Sequence, residues 1–183
     1  MRIAVYCSSR DDLHNDYVTV AQALGEWIGH NGHTLVYGGV KAGLMHTVAQ
    51  AVSDGGGQIV GVVPERFAHR ADPLVQTCIF STDLGDRKTI MMEQANVFVV
   101  LPGGLGTLDE WISTLSQLSV SPDDSRKIIV VNVNGLFNET IAQLSQLDRS
   151  SFARGKNITR SVVVTDKTQL INELINTATD YEK

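Results

Sequence analysis

Cysteine is scarce in this chain. Cys7 and Cys78 are the only two and lack C-x-x-C spacing, which argues against a disulfide framework and for a reducing, cytoplasmic setting. Cys7 closes an apolar run and reads as a small buried thiol rather than a nucleophile. Long hydrophobic runs are missing too: none approaches the ~20 residues that span a bilayer, so no membrane partner is expected. Ile3–Tyr6 reads as a strand directly after Met1-Arg2, which predicts no signal peptide. Basic residues are in deficit, 15 Lys and Arg against 20 Asp and Glu. The net charge of −5, without any basic block, argues against a nucleic-acid partner. The five histidines show no zinc spacing such as H-E-x-x-H, and His46 alone stands near a motif. Neither G-x-G-x-x-G nor G-x-x-x-x-G-K-[ST] occurs. Repeats, low-complexity stretches and linkers are absent, so residues 1–183 are expected to form a single domain with a substantial core.

What the chain does have is an alternation of two patterns. Short apolar, β-branched runs predict strands at Ile3–Tyr6, Thr34–Tyr37, Ile59–Val63, Cys78–Phe80, Val97–Leu101, Ile128–Val133 and Val162–Val164. Between them lie amphipathic stretches. One carries Tyr17, Val20, Ala21, Leu24, Trp27 and Ile28 on a single face, and others run from about Leu44 to Val52, Asp86 to Gln94, Leu136 to Leu147 and Thr168 to Thr177. A looser segment, about Pro64 to Leu74, and a polar loop through Arg160 fill the rest. Near-continuous apolar strands alternating with helices predict an α/β fold: a doubly wound, Rossmann-like parallel sheet with helices on both faces.

Two strand–helix junctions are rich in glycine. Pro102-Gly103-Gly104-Leu105-Gly106-Thr107-Leu108-Asp109-Glu110 follows the Val97–Leu101 strand and leads into a helical pattern with Leu108, Trp111, Ile112, Leu115 and Leu118 on one face. Unpaired amides and the positive end of a helix dipole suit a phosphate there, and glycines let it approach. Asp109 and Glu110 are placed by this reading in the first helical turn, beside the anion. The same letters also spell a capping box, Thr107-x-x-Glu110, in which both residues serve only the helix end. Leu35-Val36-Tyr37-Gly38-Gly39-Val40-Lys41-Ala42-Gly43-Leu44-Met45 is the second junction. Ligands of such sheets bind beyond the carboxyl ends of strands, where both junctions and Cys7-Ser8-Ser9 fall.

Together with Arg87-Lys88-Thr89-Ile90-Met91, these segments resemble the Lonely Guy (LOG) family pattern: G-G-x-x-x-G-L-M, then R-K-x-x-M, then P-G-G-x-G-T-x-x-E. The resemblance runs from Ile3 to about Leu174. Three features depart from it: His46 where the family continues with Gly, Leu84-Gly85-Asp86 ahead of Arg87, and no Gly between Cys7 and Ser8. The resemblance implies an enzyme, a cytokinin riboside 5′-monophosphate phosphoribohydrolase, that hydrolyses the N-glycosidic bond of AMP or an N6-modified AMP to free base and ribose 5-phosphate. It implies Arg87 and Glu110 as the catalytic pair. Substrate binding falls to Ser8, Gly38, Gly39, Lys88, Met91, Gly103, Gly104, Gly106 and Thr107. It also implies a homodimer, with a purine nucleoside 5′-monophosphate as the other partner.

The chemistry asks for no metal or redox cofactor. Breaking the bond leaves positive charge on the ribose, which a carboxylate stabilises while it orients water, the role that falls to Glu110. Arg87 cannot donate a proton at neutral pH and would stabilise charge and position its neighbours. Asp86, Asp109 and water are the candidate proton donors to the leaving base. Some family members carry a lysine decarboxylase label. That reaction needs pyridoxal phosphate and a Schiff-base lysine, and nothing marks Lys41 or Lys88 for it. A non-catalytic nucleotide sensor or carrier on the same fold is the alternative.

Overall fold

A computed structural model describes residues 1–121, 123–150, 152 and 160–181. Seven strands form one parallel sheet: β1 (Arg2–Tyr6), β2 (Thr34–Tyr37), β3 (Gln58–Pro64), β4 (Thr77–Ser81), β5 (Val97–Val100), β6 (Ile128–Val131) and β7 (Ser161–Val164). The helices are α1 (Asn15–His30), α2 (Gly43–Asp54), α3 (Leu84–Glu93), α4 (Leu105–Ser119), α5 (Asn138–Arg149) and α6 (Lys167–Tyr181). The spatial order is β4-β3-β2-β1-β5-β6-β7. It is the doubly wound, Rossmann-like arrangement expected, and each predicted strand is present. The polar loop expected before Arg160 lies largely outside the described residues.

The sheet order fixes where a ligand can enter. The chain winds outward from β1 to β4, then returns to the far side of β1 for β5, so the topological switch point lies between β1 and β5. Loops leaving those two strands part in opposite directions and open a crevice at their carboxyl ends.

Side chains alternate across the sheet with the two-residue period of a strand. Ile3 and Val5 of β1, Val97 and Val99 of β5, and Ile129 and Val131 of β6 pack against α1, α2 and α6. Ala4 and Tyr6, Phe98 and Val100, and Ile128 and Val130 face the opposite layer, with α3 and α4 and the start of α5. Burying both faces is why these strands lack polar positions.

Helix α4 departs from the sequence reading in two ways. It begins at Leu105, with Gly104 as its cap residue, two residues before the predicted Thr107. Thr107 is therefore inside the helix, and neither Asp109 nor Glu110 lies in its first turn. The capping box is a coincidence of spelling. The buried stripe is also rotated: Thr107, Glu110, Trp111, Thr114, Leu115 and Leu118 face inward, while Ile112 is exposed. Burying Trp111, Leu115 and Leu118 contributes about 1.5–3 kcal/mol each, which offsets the cost of carrying Glu110 and two threonines inward.

Candidate active site

The crevice at the switch point is built from three loops tied by backbone hydrogen bonds. The Ser8 N–H donates to the Pro102 carbonyl at 3.1 Å, joining the β1 and β5 exits. The Leu44 N–H donates to the Ser8 carbonyl at 3.0 Å, joining the start of α2. A cavity of about 290 Å³ lies among them, lined by Cys7 to Arg10, Met45, Arg87, Gly104, Gly106, Thr107 and Glu110.

Its floor is an ion pair. Arg87 Nη1 of α3 lies 2.8 Å from Glu110 Oε1 of α4, and the two side chains are only 11% and 5% exposed. The approach is close without being aligned as a hydrogen bond. The guanidinium is held from two other sides. Arg87 Nε donates to the Val62 carbonyl at 3.1 Å. Arg87 Nη2 lies where a β-carbon on Gly38 would come within 2.2 Å, so any side chain there would displace it. Gly39 has φ +68°, a conformation that excludes most other residues.

Burial pushes the Glu110 carboxyl up to about 7, against the opposing pull of Arg87, with Asp109 raising it further. Desolvation disfavours the charged form, and one close cation does not fully compensate. Glu110 is therefore present in both protonation states near neutral pH. Burial likewise pushes the Cys7 thiol far above its ordinary range, helped by the Glu110 charge, so it does not act as a thiolate nucleophile. Beneath Glu110, the Tyr6 hydroxyl and Thr114 Oγ1 are 2.9 Å apart and satisfy each other.

The start of α4 forms the opposite wall. Gly104 supplies no side-chain cap, leaving the first amides for another acceptor. Gly104 and Gly106 face open space, so their glycine identity keeps that approach clear. Gly103 serves differently: a β-carbon there would fall 2.0 Å from Thr107 Oγ1.

Several expected site residues stand outside the cavity lining. Lys88 Nζ is held by Asp109 at 2.7 and 2.8 Å and by Ser113 Oγ at 3.1 Å. Met91 is fully buried in the layer beneath α3 and supports that helix rather than the cavity. Gly38 and Gly39 sit behind Arg87, and Gly103 behind Thr107. Ser8 does line the cavity, and its hydroxyl accepts from the Arg10 N–H at 3.1 Å. Of the candidate proton donors, Asp86 accepts from the Thr82 N–H and hydroxyl, and Asp109 is bound to Lys88; neither lines the cavity. Ser9 lies in the lining with Cys7 and Ser8, as the sequence placed it, whereas Arg10 in the lining and Tyr6 and Thr114 below Glu110 were missed. Only Thr114, four residues after Glu110 on the same helix face, carried a usable signal.

A family model described as "possible lysine decarboxylase" matches residues 45–174. The cytokinin riboside 5′-monophosphate phosphoribohydrolase of Mycobacterium marinum is 34% identical over 164 residues, covering 88% of this chain and 87% of that protein. The chain belongs to the LOG family. The Arabidopsis thaliana cytokinin riboside 5′-monophosphate phosphoribohydrolase LOG3 is 29% identical and is matched over all of this chain and 85% of its own length. Among solved structures, a molybdenum cofactor carrier protein from Chlamydomonas reinhardtii superposes with a TM-score of 0.76 at 22% identity, covering 97% of this chain and 98% of that one. At that identity the likeness speaks to the LOG fold alone.

Proposed function

We propose that this LOG protein hydrolyses the N-glycosidic bond of a purine nucleoside 5′-monophosphate, AMP or an N6-modified AMP, releasing free base and ribose 5-phosphate. The observation that carries this reading is the buried Arg87–Glu110 pair on the floor of the cavity whose wall is the uncapped start of α4. The activity for which relatives at 34% and 29% identity are named supports it.

The amides of Gly104 to Thr107 hold the 5′-phosphate, which sets the ribose over Glu110. Ionised Glu110 stabilises the positive charge that develops on the ribose and orients the attacking water. Arg87 offsets the negative charge on the departing base and keeps Glu110 in place. With Asp86 and Asp109 engaged elsewhere, the proton for the base comes from water. Among the described residues no lysine lines the cavity, which speaks against a Schiff-base decarboxylase. Two unpaired thiols, Cys7 and Cys78, suit a cytoplasmic enzyme.

The test is to incubate pure protein with AMP, N6-isopentenyl-AMP and adenosine and to resolve free base by chromatography. Base from the nucleotides and little from adenosine is expected, because a site built for an anion leaves its donors unpaired without one. Nucleotide binding with no base released would favour a sensor or carrier. The enzyme is expected to be a homodimer, since Leu84 of α3 and Leu105 and Ile112 of α4 are exposed beside the site and a two-fold axis would cover them twice. Light scattering is expected to give twice the chain mass, and a single chain mass in an active preparation would refute it.

A further inference from the structure

Both ends of the segment between Gly39 and the first turn of α2 are fastened to one residue, Asp72. The Asp72 N–H donates to the Gly39 carbonyl at 2.8 Å. Asp72 Oδ2 lies 2.7 Å from His46 Nδ1, seven residues further along. Two more links lie between these ends: the Lys41 N–H donates to the Arg70 carbonyl at 3.2 Å, and Val40 bridges Ala71. The Asp72 side chain is completely buried, whereas that of His46 is 33% exposed. The second carboxylate oxygen accepts from the Leu74 N–H at 3.1 Å. Among the described residues His46 is the only ion-pairing partner of Asp72.

A carboxylate at full burial is costly when unpaired, so it draws in whichever strong donor can reach it. The imidazole on the first turn of α2 is the donor that ties this carboxylate to α2, beside the buried Tyr37 hydroxyl at the end of β2, which also faces it. It can donate from Nδ1 as the neutral Nδ1–H tautomer or as the cation, so the contact survives a change in charge on His46. The fastened segment carries two things the cavity needs. Gly38, one residue before it, packs against the Arg87 guanidinium, and Met45 forms part of the cavity wall.

We propose that His46 and Asp72 are positioning residues: a staple across Gly39–His46 that seats Gly38 behind Arg87, and so holds Arg87 against Glu110. His46 stands where the family pattern continues with glycine. Only the activity readout of its test rests on the proposed function.

Glu110 reports on the staple directly. The charged and titratable groups facing it are Arg87 and Lys88 of α3, Asp109 of its own helix, and Tyr6 of β1 with Cys7 at its end. Of these, Arg87 is the group packed against Gly38. Arg87 favours the ionised carboxylate, so loosening Arg87 raises the pH at which Glu110 titrates.

The experiment is a carbon-13 NMR titration of the Glu110 carboxyl in the wild type, His46→Leu and His46→Asn, with AMP hydrolysis measured alongside. Leucine removes the donor, whereas asparagine keeps an N–H close to the place of Nδ1. His46→Leu is expected to move the Glu110 midpoint upward by about half a unit or more and to lower kcat/KM roughly tenfold. His46→Asn is expected to restore both most of the way. An unchanged midpoint in His46→Leu, with or without a loss of thermal stability, would overturn the staple and leave His46 a structural residue. A displacement as large in His46→Asn as in His46→Leu would overturn it too. A wild type that hydrolyses no nucleotide would defeat the proposed function, while the Glu110 midpoints would still decide the staple.

Discussion

Two helix pairs flank this sheet, one on each face, and they make contact by opposite means. Helices α1 and α2 meet through small residues: a β-carbon on Gly25 would lie 2.6 Å from both Ala51 Cβ and the Val48 carbonyl oxygen, and one on Gly29 would lie 2.7 Å from the Val52 carbonyl oxygen. Helices α3 and α4 meet through charge, Arg87 with Glu110 inside and Lys88 with Asp109 outside. Close backbone contact produces a rigid, inert seam. The charged seam gives up stability to keep a carboxylate and a guanidinium nearly buried on the floor of the switch-point cavity. In this molecule, the region packed less favourably is the one that can do chemistry.

Removing the inner pair on the charged seam tests that contrast most severely. Glu110→Gln and Arg87→Ala are each expected to lower kcat by roughly 10²- to 10⁴-fold, measured by release of free base from AMP. The stability effect of Glu110→Gln is expected to run the other way. Its folded-state carboxyl is raised from 4.5 to about 7, so the folded protein holds a proton that the unfolded chain has lost. Wild-type stability therefore falls as pH rises through that window, by about 3 kcal/mol at 1.36 kcal/mol per unit. Glu110→Gln lacks that slope and is expected to be the more stable protein at pH 8, with the advantage gone at pH 4. Urea unfolding at the two pH values checks it. Parallel slopes in the two proteins would mean that Glu110 is not held protonated by burial.

The inert seam gives the converse. Gly25→Val places side-chain atoms inside the contact distance to the α2 backbone, which cannot yield as a flexible side chain would. The expected cost is about 1–3 kcal/mol or more of folding stability, read from urea unfolding, with kcat of the folded protein unchanged. A large loss of kcat with intact stability would mean that the two seams are coupled through β1 rather than separate.

The contrast also shows what could be read from residues alone. The strands were legible because burial on both faces writes them as uninterrupted apolar runs, such as Val97 to Val100 and Ile128 to Val131. The inert seam was half-legible, since Leu24 and Ile28 give α1 its apolar face, but glycines at the same four-residue spacing, Gly25 and Gly29, do not by themselves say which element they meet. The charged seam was legible as a family pattern, while its local spacing left a capping box open. Thr107-x-x-Glu110 has the spacing of a capping box, whereas an exposed apolar residue, Leu105, opens α4. Asp72 was invisible for a simpler reason. A lone carboxylate in the loose stretch before β4 looks solvated, and only the fold brings Gly39 and His46 to it.

The outer half of the charged seam should matter least, and Lys88 is where pattern and geometry disagree. The family motif makes it a substrate-binding residue. The structure occupies all its reach with Asp109 and Ser113, outside the cavity lining. Lys88 and Asp109 are 25% and 56% exposed, so solvent screens the pair and its loss is expected to cost under about 1 kcal/mol. Lys88 also slightly favours the ionised form of Glu110, a weaker influence than that of Arg87. Lys88→Met is therefore expected to change kcat/KM for AMP by less than about threefold and to raise the pH at which Glu110 titrates only slightly. A rise in KM for AMP of about tenfold or more at unchanged kcat and stability would show that Lys88 leaves Asp109 for the nucleotide. In that event the outer half of the seam is a part of the binding site that forms only when substrate arrives.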